Sequence, residues 1–311
     1  MKTLNRKIRY FLIAIAMVGV LASCSKDDDN EPTAQSKNIV ETASSDNQFS
    51  ILVSALQKAD LVSALQGPGP FTVFAPTNDA FNELFSQLGV TGIEELSAET
   101  LTPILLNHVV SGSVKAADIT TGYATTLNTT APGNNAVKIY ISKGSSVMVD
   151  GSKVTTADVI ASNGVIHVID KVILPATVVN HAINNPNFSI LVEAVVKAGL
   201  VDALNAAGPF TVFAPTNDAF NALFNTLGVS GISDLTAEQL TPILLYHVVS
   251  GNVVAAQVST GNVPTLKEGS DISIVASTMG VKLNDNSNVI ATDVQGTNGV
   301  IHAIDAVILP Q

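Results

Sequence analysis

The sequence predicts an α+β fold built twice. Blocks of sequence recur in the same order along the chain. Within each copy, apolar residues repeat at helical spacing first and at strand spacing later, and Gly-Pro or Asp-Gly pairs punctuate the change. The 311 residues give room for two domains. A copy of roughly 135 residues buries about two-thirds of the surface its unfolded chain exposes, so each can fold without disulfide staples.

The chain opens with a leader. Lys2, Arg6, Lys7 and Arg9 precede an apolar run over 10–20 that is too short to span a membrane stably. Leu21-Ala22-Ser23-Cys24 follows, and it resembles a bacterial lipobox in which the thiol of Cys24 takes a diacylglyceryl group. Cys24 is the only cysteine, so no internal disulfide forms and lipidation accounts for it. Buried acyl chains contribute about 0.8 kcal/mol per methylene, enough to anchor the chain. Ser25-Lys26-Asp27-Asp28-Asp29 resembles a surface-export signal of one group of Gram-negative bacteria. Residues 25–36 read as a polar linker. The expected layout is a signal peptide over 1–23, lipidated Cys24 and linker over 24–36, a first domain over 37–175 and a second over 176–311.

The repeat is explicit. Phe71–Phe81 (FTVFAPTNDAF) recurs unchanged as Phe210–Phe220, and LTPILLNHVVSG at 101–112 recurs as LTPILLYHVVSG at 240–251, both at an offset of 139. NGVIHVIDKVILP at 163–175 recurs as NGVIHAIDAVILP at 298–310, at an offset of 135. Four residues are therefore missing between the second and third blocks of copy two, a change that loops tolerate.

Within copy one, Phe49, Leu52, Val53 and Leu56 fall at helical spacing, with Leu61, Val62 and Leu65 after a break. Gly67-Pro68-Gly69-Pro70 stops the pattern. FTVFA reads as a buried strand. Thr77 caps the next helix and Asp79 suits its positive end. That helix buries Phe81, Leu84, Phe85 and Leu88, and Gly89 ends it. Ser97 starts a further helical turn. Thr102-Pro103 reads as a fresh N-cap, which predicts two short helices there. Val137, Ile139 and Ile141, then Val147 and Val149, alternate as strands between turns at Lys143-Gly144-Ser145 and Asp150-Gly151. VIHVIDKVIL is nearly all apolar, a strand covered on both faces.

The three blocks resemble the fasciclin domain: the Phe-Thr-Val-Phe-Ala-Pro-Thr-Asn-Asp-Ala-Phe run, the Asn-Gly-Val-Ile-His run, and a Tyr-His pair between them. The resemblance covers about 37–311. It implies two tandem domains, each a helical face packed on a small twisted β-sandwich or wedge. It also implies adhesion, with binding to extracellular proteins and in some relatives to integrins or polysaccharides. Tyr246-His247 matches the family's Tyr-His pair, and Asn107-His108 departs from it. The resemblance marks Tyr246, His247, Asn107 and His108 as partner-binding candidates.

The same residues have plainer readings. His108 and His247 sit at helical spacing after Leu101, Ile104 and Leu105 and their copies. That favours buried rings satisfied by nearby polar groups such as the Thr-Asn-Asp turn. His167 and His302 belong to the covered strand and are expected to be structural. Capping explains Thr77, Asp79, Thr216 and Asp218 better than ligation. Asn284–Asn288 suggests calcium at a glance, but its place between alternating strands makes it a hairpin turn. No metal site is expected, for want of a third ligand at local spacing.

Composition narrows the function. Only 13% of residues are charged, and without the leader's four basic residues the formal charge moves from −11 to −15. Such a surface repels nucleic acid and anionic headgroups. No catalytic motif is present, so an enzyme is not expected, and no cofactor is called for. The expected protein is an outer-membrane lipoprotein exposed at the cell surface, held by its lipid alone. It would bind extracellular or cell-surface proteins. Matrix, a polysaccharide or a small apolar ligand are the alternatives. The chain has no Trp and four Tyr, which weakens sugar stacking.

Overall fold

The computed structural model describes residues 36–310. The leader, Cys24 and the acidic stretch after it lie outside the described residues. Copy one runs α1 (Ile39–Ser44), α2 (Ser50–Lys58), α3 (Val62–Leu65), β1 (Phe71–Pro76), α4 (Asn78–Leu88), α5 (Ala98–Asn107), β2 (Val109–Ser111), β3 (Gly122–Thr125), β4 (Lys138–Lys143), β5 (Val147–Val149), β6 (Ser152–Ala161) and β7 (Gly164–Ile169). Copy two repeats that order as α6 (Val178–Asn184), α7 (Ser189–Lys197), α8 (Val201–Asn205), β8 (Phe210–Pro215), α9 (Asn217–Leu227), α10 (Ala237–Tyr246), β9 (Val248–Ser250), β10 (Gly261–Pro264), β11 (Asp271–Ser277), β12 (Gly280–Leu283), β13 (Ser287–Gly296) and β14 (Gly299–Ile304).

Each copy forms one seven-stranded sheet, in the order β2-β1-β7-β6-β5-β4-β3 and its counterpart β9-β8-β14-β13-β12-β11-β10. β1 and β7 pair in parallel, as do β8 and β14; the other pairings are antiparallel. Alternate residues of the central strands serve two cores. Val73, Ala75, Ile166 and Val168 face the helices with Leu52, Leu56, Phe81 and Leu105. Phe74 and Ile169 face the other way, onto Ile139, Ile141 and Val149 of β4 and β5. Two register shifts in β6 bend the sheet back over its own central strands, which makes the wedge. β7 is buried along its whole length, as its apolar run predicts.

The signature residues are fasteners. Thr77 and Thr216 cap α4 and α9 through their hydroxyls. Asp79 and Asp218 stand in the first turns of those helices. Asn78 accepts from the Ile51 N–H and donates to the Asn47 carbonyl, which ties α4 to the start of α2; Asn217 does the same in copy two. Asn298 accepts from the Val178 N–H at 3.0 Å and donates to the Leu204 and Ala206 carbonyls at 2.8 and 2.9 Å. Asn163 repeats this on Ile39, Leu65 and Gly67. At Gly299 a Cβ would lie 2.2 Å from the Phe210 carbonyl oxygen, so β8 and β14 approach as they do only because the residue is glycine.

The structure corrects one local expectation. Residues 98–107 form one helix with Pro103 inside it, where two short helices were predicted at Thr102-Pro103. The missing N–H deprives the carbonyl of Glu99, which sits in the exposed first turn where water can serve it. The Thr102 hydroxyl donates back to the Ala98 carbonyl at 2.8 Å and is no cap.

Candidate functional site

The four partner-binding candidates all lie in the interior. Tyr246 has no exposed surface, and Asn107, His108 and His247 are buried with it. His108 donates from Nδ1 to the Ile104 carbonyl at 2.7 Å and accepts at Nε2 from the Ile173 N–H at 2.8 Å. His247 does the same with Ile243 and Ile308. Each ring therefore joins the end of a helix to the segment after the last strand. The Thr-Asn-Asp turn, expected as a partner, takes no part. Burial pushes both rings down to about 4, so they are neutral in ordinary conditions.

His167 and His302 hold the bend of the sheet. His167 bonds the Val114 carbonyl at 2.9 Å through Nε2, and its Nδ1 accepts from the N–H of Asp158. Asp158 sits in the left-handed region at φ 61° on the β6 bulge. Its carboxylate in turn accepts from the Ala116 N–H at 2.8 Å. His302, Val253, Asp293 and Ala255 repeat the arrangement. Burial pushes His302 downward.

Tyr246 works at longer range. Its hydroxyl donates to the Asp271 carbonyl at 2.8 Å and accepts from Asn284 Nδ2 at 2.8 Å. It thereby fastens α10 to the first residue of β11 and to the turn between β12 and β13. Asn107, its counterpart, reaches only the Ile173 carbonyl, at 3.5 Å. The outer strands of copy two are thus pinned from within by a group that copy one lacks. Val275 on β11 and Ile290 on β13 turn to solvent, and Met279, in the turn between β11 and β12, is 96% exposed.

The matching face of copy one is already occupied. Tyr123 on β3 and Tyr140 on β4 lie with ring centroids 5.0 Å apart, and His181 of α6 meets Tyr123 edge-on at 5.8 Å. Asn185 donates to the Tyr123 hydroxyl at 3.1 Å, and Asn184 to Asp150 Oδ1 at 3.0 Å. Asn252 reaches the Pro132 carbonyl at 3.3 Å. The second repeat thus docks on the outer strands of the first. Burial pushes Asp150 up to about 7, against the hydrogen bonds from Tyr140 and Asn184. It pushes His181 down to about 4 and Lys138 downward, with Asp293 opposing the shift in Lys138.

Sequence reasoning missed this joint. Its visible signal is that Tyr123 and Tyr140 fall where copy two has Asn262 and Ser273, as the pairing registers align them. Since Tyr123, Tyr140 and Tyr246 are all engaged, no tyrosine among the described residues offers an open ring for sugar stacking. No group of three or more His, Cys, Asp or Glu that could hold a metal occurs among the described residues, and no described helix is long and apolar enough to cross a membrane.

The fasciclin domain family model matches residues 47–175 and 186–310. Over 134 residues the chain is 49% identical to protein sll1483 of Synechocystis sp., covering 43% of this chain and 73% of that protein. It is 30% identical over 250 residues to transforming growth factor-beta-induced protein ig-h3 of Sus scrofa, covering 79% of this chain and 35% of that protein. It is 28% identical over 248 residues to periostin of Homo sapiens, covering 79% and 29%. The chain thus spans about a third of the length of these two animal relatives. A solved FAS1 domain pair from the insect cell adhesion molecule fasciclin I is similar at a TM-score of 0.48 and 20% identity, covering 87% of this chain and 95% of that one.

Proposed function

Because the chain belongs to the fasciclin family and carries its domain twice, we propose that it is a non-catalytic adhesion module, lipid-anchored through Cys24 at the outer surface of a bacterium. It binds proteins of other cells or of matrix. The observation that carries this reading is the unequal use of one face. The outer strands of copy one dock a folded surface, that of α6. In copy two, among the described residues, Val275 on β11, Met279 in the turn between β11 and β12, and Ile290 on β13 stay exposed, while β13 meets β4 of copy one near Asp293. Aliphatic side chains exposed on two outer strands and on the turn that follows one of them suit a protein partner.

In this reading Tyr246 and His247 contribute from inside. Tyr246 sets the outer strands in place, and His247 anchors the helix that carries it. A partner touches the sheet and not the pair.

The test is binding of the full-length protein to whole cells, matrix proteins and polysaccharides, beside a Met279→Ser/Ile290→Thr variant. Saturable binding to a protein or a cell, weakened at least tenfold by the variant, is expected. Binding of equal strength in the variant would move the site elsewhere. Binding to polysaccharide alone, or to none of the three, would overturn the reading.

A further inference from the structure

The two copies differ in one place where a difference is costly. Between α6, α7, α8 and the central strands of copy two lies a cavity of about 120 Å³. The corresponding space in copy one is about 20 Å³. The wall in copy two is apolar apart from His247, whose two nitrogens are already bonded to Ile243 and Ile308. A ligand inside meets no free donor or acceptor, so the part of it that enters is hydrocarbon.

The sequence accounts for the difference. The repeat offset aligns Ile39 with Val178 and Leu56 with Val195, so each step from copy one to copy two removes a methylene from the wall. Two further changes lie at the mouth. Ser44 aligns with Ile183 and Gln57 with Val196. Both are cavity-lining residues, yet they are 56% and 61% exposed. A mere packing defect would not explain why the outer rim turned apolar when the inner wall was cut back.

We propose that the second domain, and not the first, takes up the end of an unbranched alkyl chain, with the terminal methyl inside and the rest leaving between α6 and α7 over Ile183 and Val196. Size sets this limit. An apolar cavity of about 150 Å³ stays dry and admits benzene, so this smaller one holds only a few methylenes. The inference stands apart from the adhesion face, which is formed by Val275, Met279 and Ile290, and either can fail without the other.

The probe is the series of linear alcohols from 1-butanol to 1-octanol, titrated into the full-length protein and followed by methyl NMR. Saturable shifts are expected at Val178, Val195 and Val201, with none of that size at Val53 or Val62 of copy one. Affinity tightens about fourfold per methylene while the chain is filling the cavity, and less steeply once it emerges. Val178→Ile/Val195→Leu, which restores the residues of copy one, weakens binding at least tenfold. Ile183→Ser/Val196→Gln alters only exposed positions, so folding is safe, and it weakens the longer alcohols more than 1-butanol. Shifts that never saturate, equal shifts in both domains, or affinities unchanged by both variants would overturn the proposal.

Discussion

At neutral pH the ring of His247 is an uncharged link that donates from one nitrogen and accepts at the other. Acid removes the acceptor. His108, His181 and His247 stay unprotonated down to about 4 when folded, against an ordinary value of 6.5. The unfolded chain therefore holds more protons between those values, and stability rises with pH across that window. Asp150 opposes them, because its folded carboxyl keeps its proton up to about 7 against an ordinary 3.8. Its contribution falls as pH rises from about 4 to about 7. Three histidines outweigh one carboxyl, so urea midpoints should fall as pH drops from 6.5 to 4. Asp150→Asn should steepen that fall and raise the midpoint above pH 7, since copy two already carries Asn284 at this place. Tyr246→Phe should cost about 1–3 kcal/mol in urea unfolding, the range for stranding buried hydrogen-bond partners. Burial of the histidines was legible from their helical spacing. The reach of Tyr246 was not, because its partners lie 25 and 38 residues away in strands whose register the sequence does not display.

Caps and strands were the readable elements. Thr77, Gly89 and Ser97 act at short range, where local chemistry decides the backbone. The α1 helix went unread, although Asn38 and Glu41 form a capping box there, because six residues give too short a period to see. Pro103 misled because its cost depends on whether the deprived carbonyl meets water, which is a tertiary fact. The Asn-Gly of the last signature block was legible only as a motif. Its asparagine turns out to tie two helices to the sheet, and that predicts a steep loss. Asn298→Ala strands one N–H and two carbonyls, and should cost about 3 kcal/mol or more. Thr216→Ala, which removes a cap alone, should cost about 1 kcal/mol. Thermal unfolding of the two variants side by side would check the ranking.

Across the whole molecule the repeat was plain and the joint between its copies was not, because a contact between domains leaves no period. Tyr123→Ala removes the ring that His181 and Asn185 meet. It should split a single calorimetric transition into two, with the first repeat melting first, since its outer strands lose their cover. Within each repeat the first and last strands lie side by side, and the Ile39 N–H waits for the side chain of Asn163, 124 residues on. Val178 waits in the same way for Asn298. A growing chain therefore exposes β1 as an apolar strand with one neighbour absent until the end of its repeat has been synthesised. A chain released short of β7 keeps that edge bare, and the residues that complete each core are the last of that core to be made.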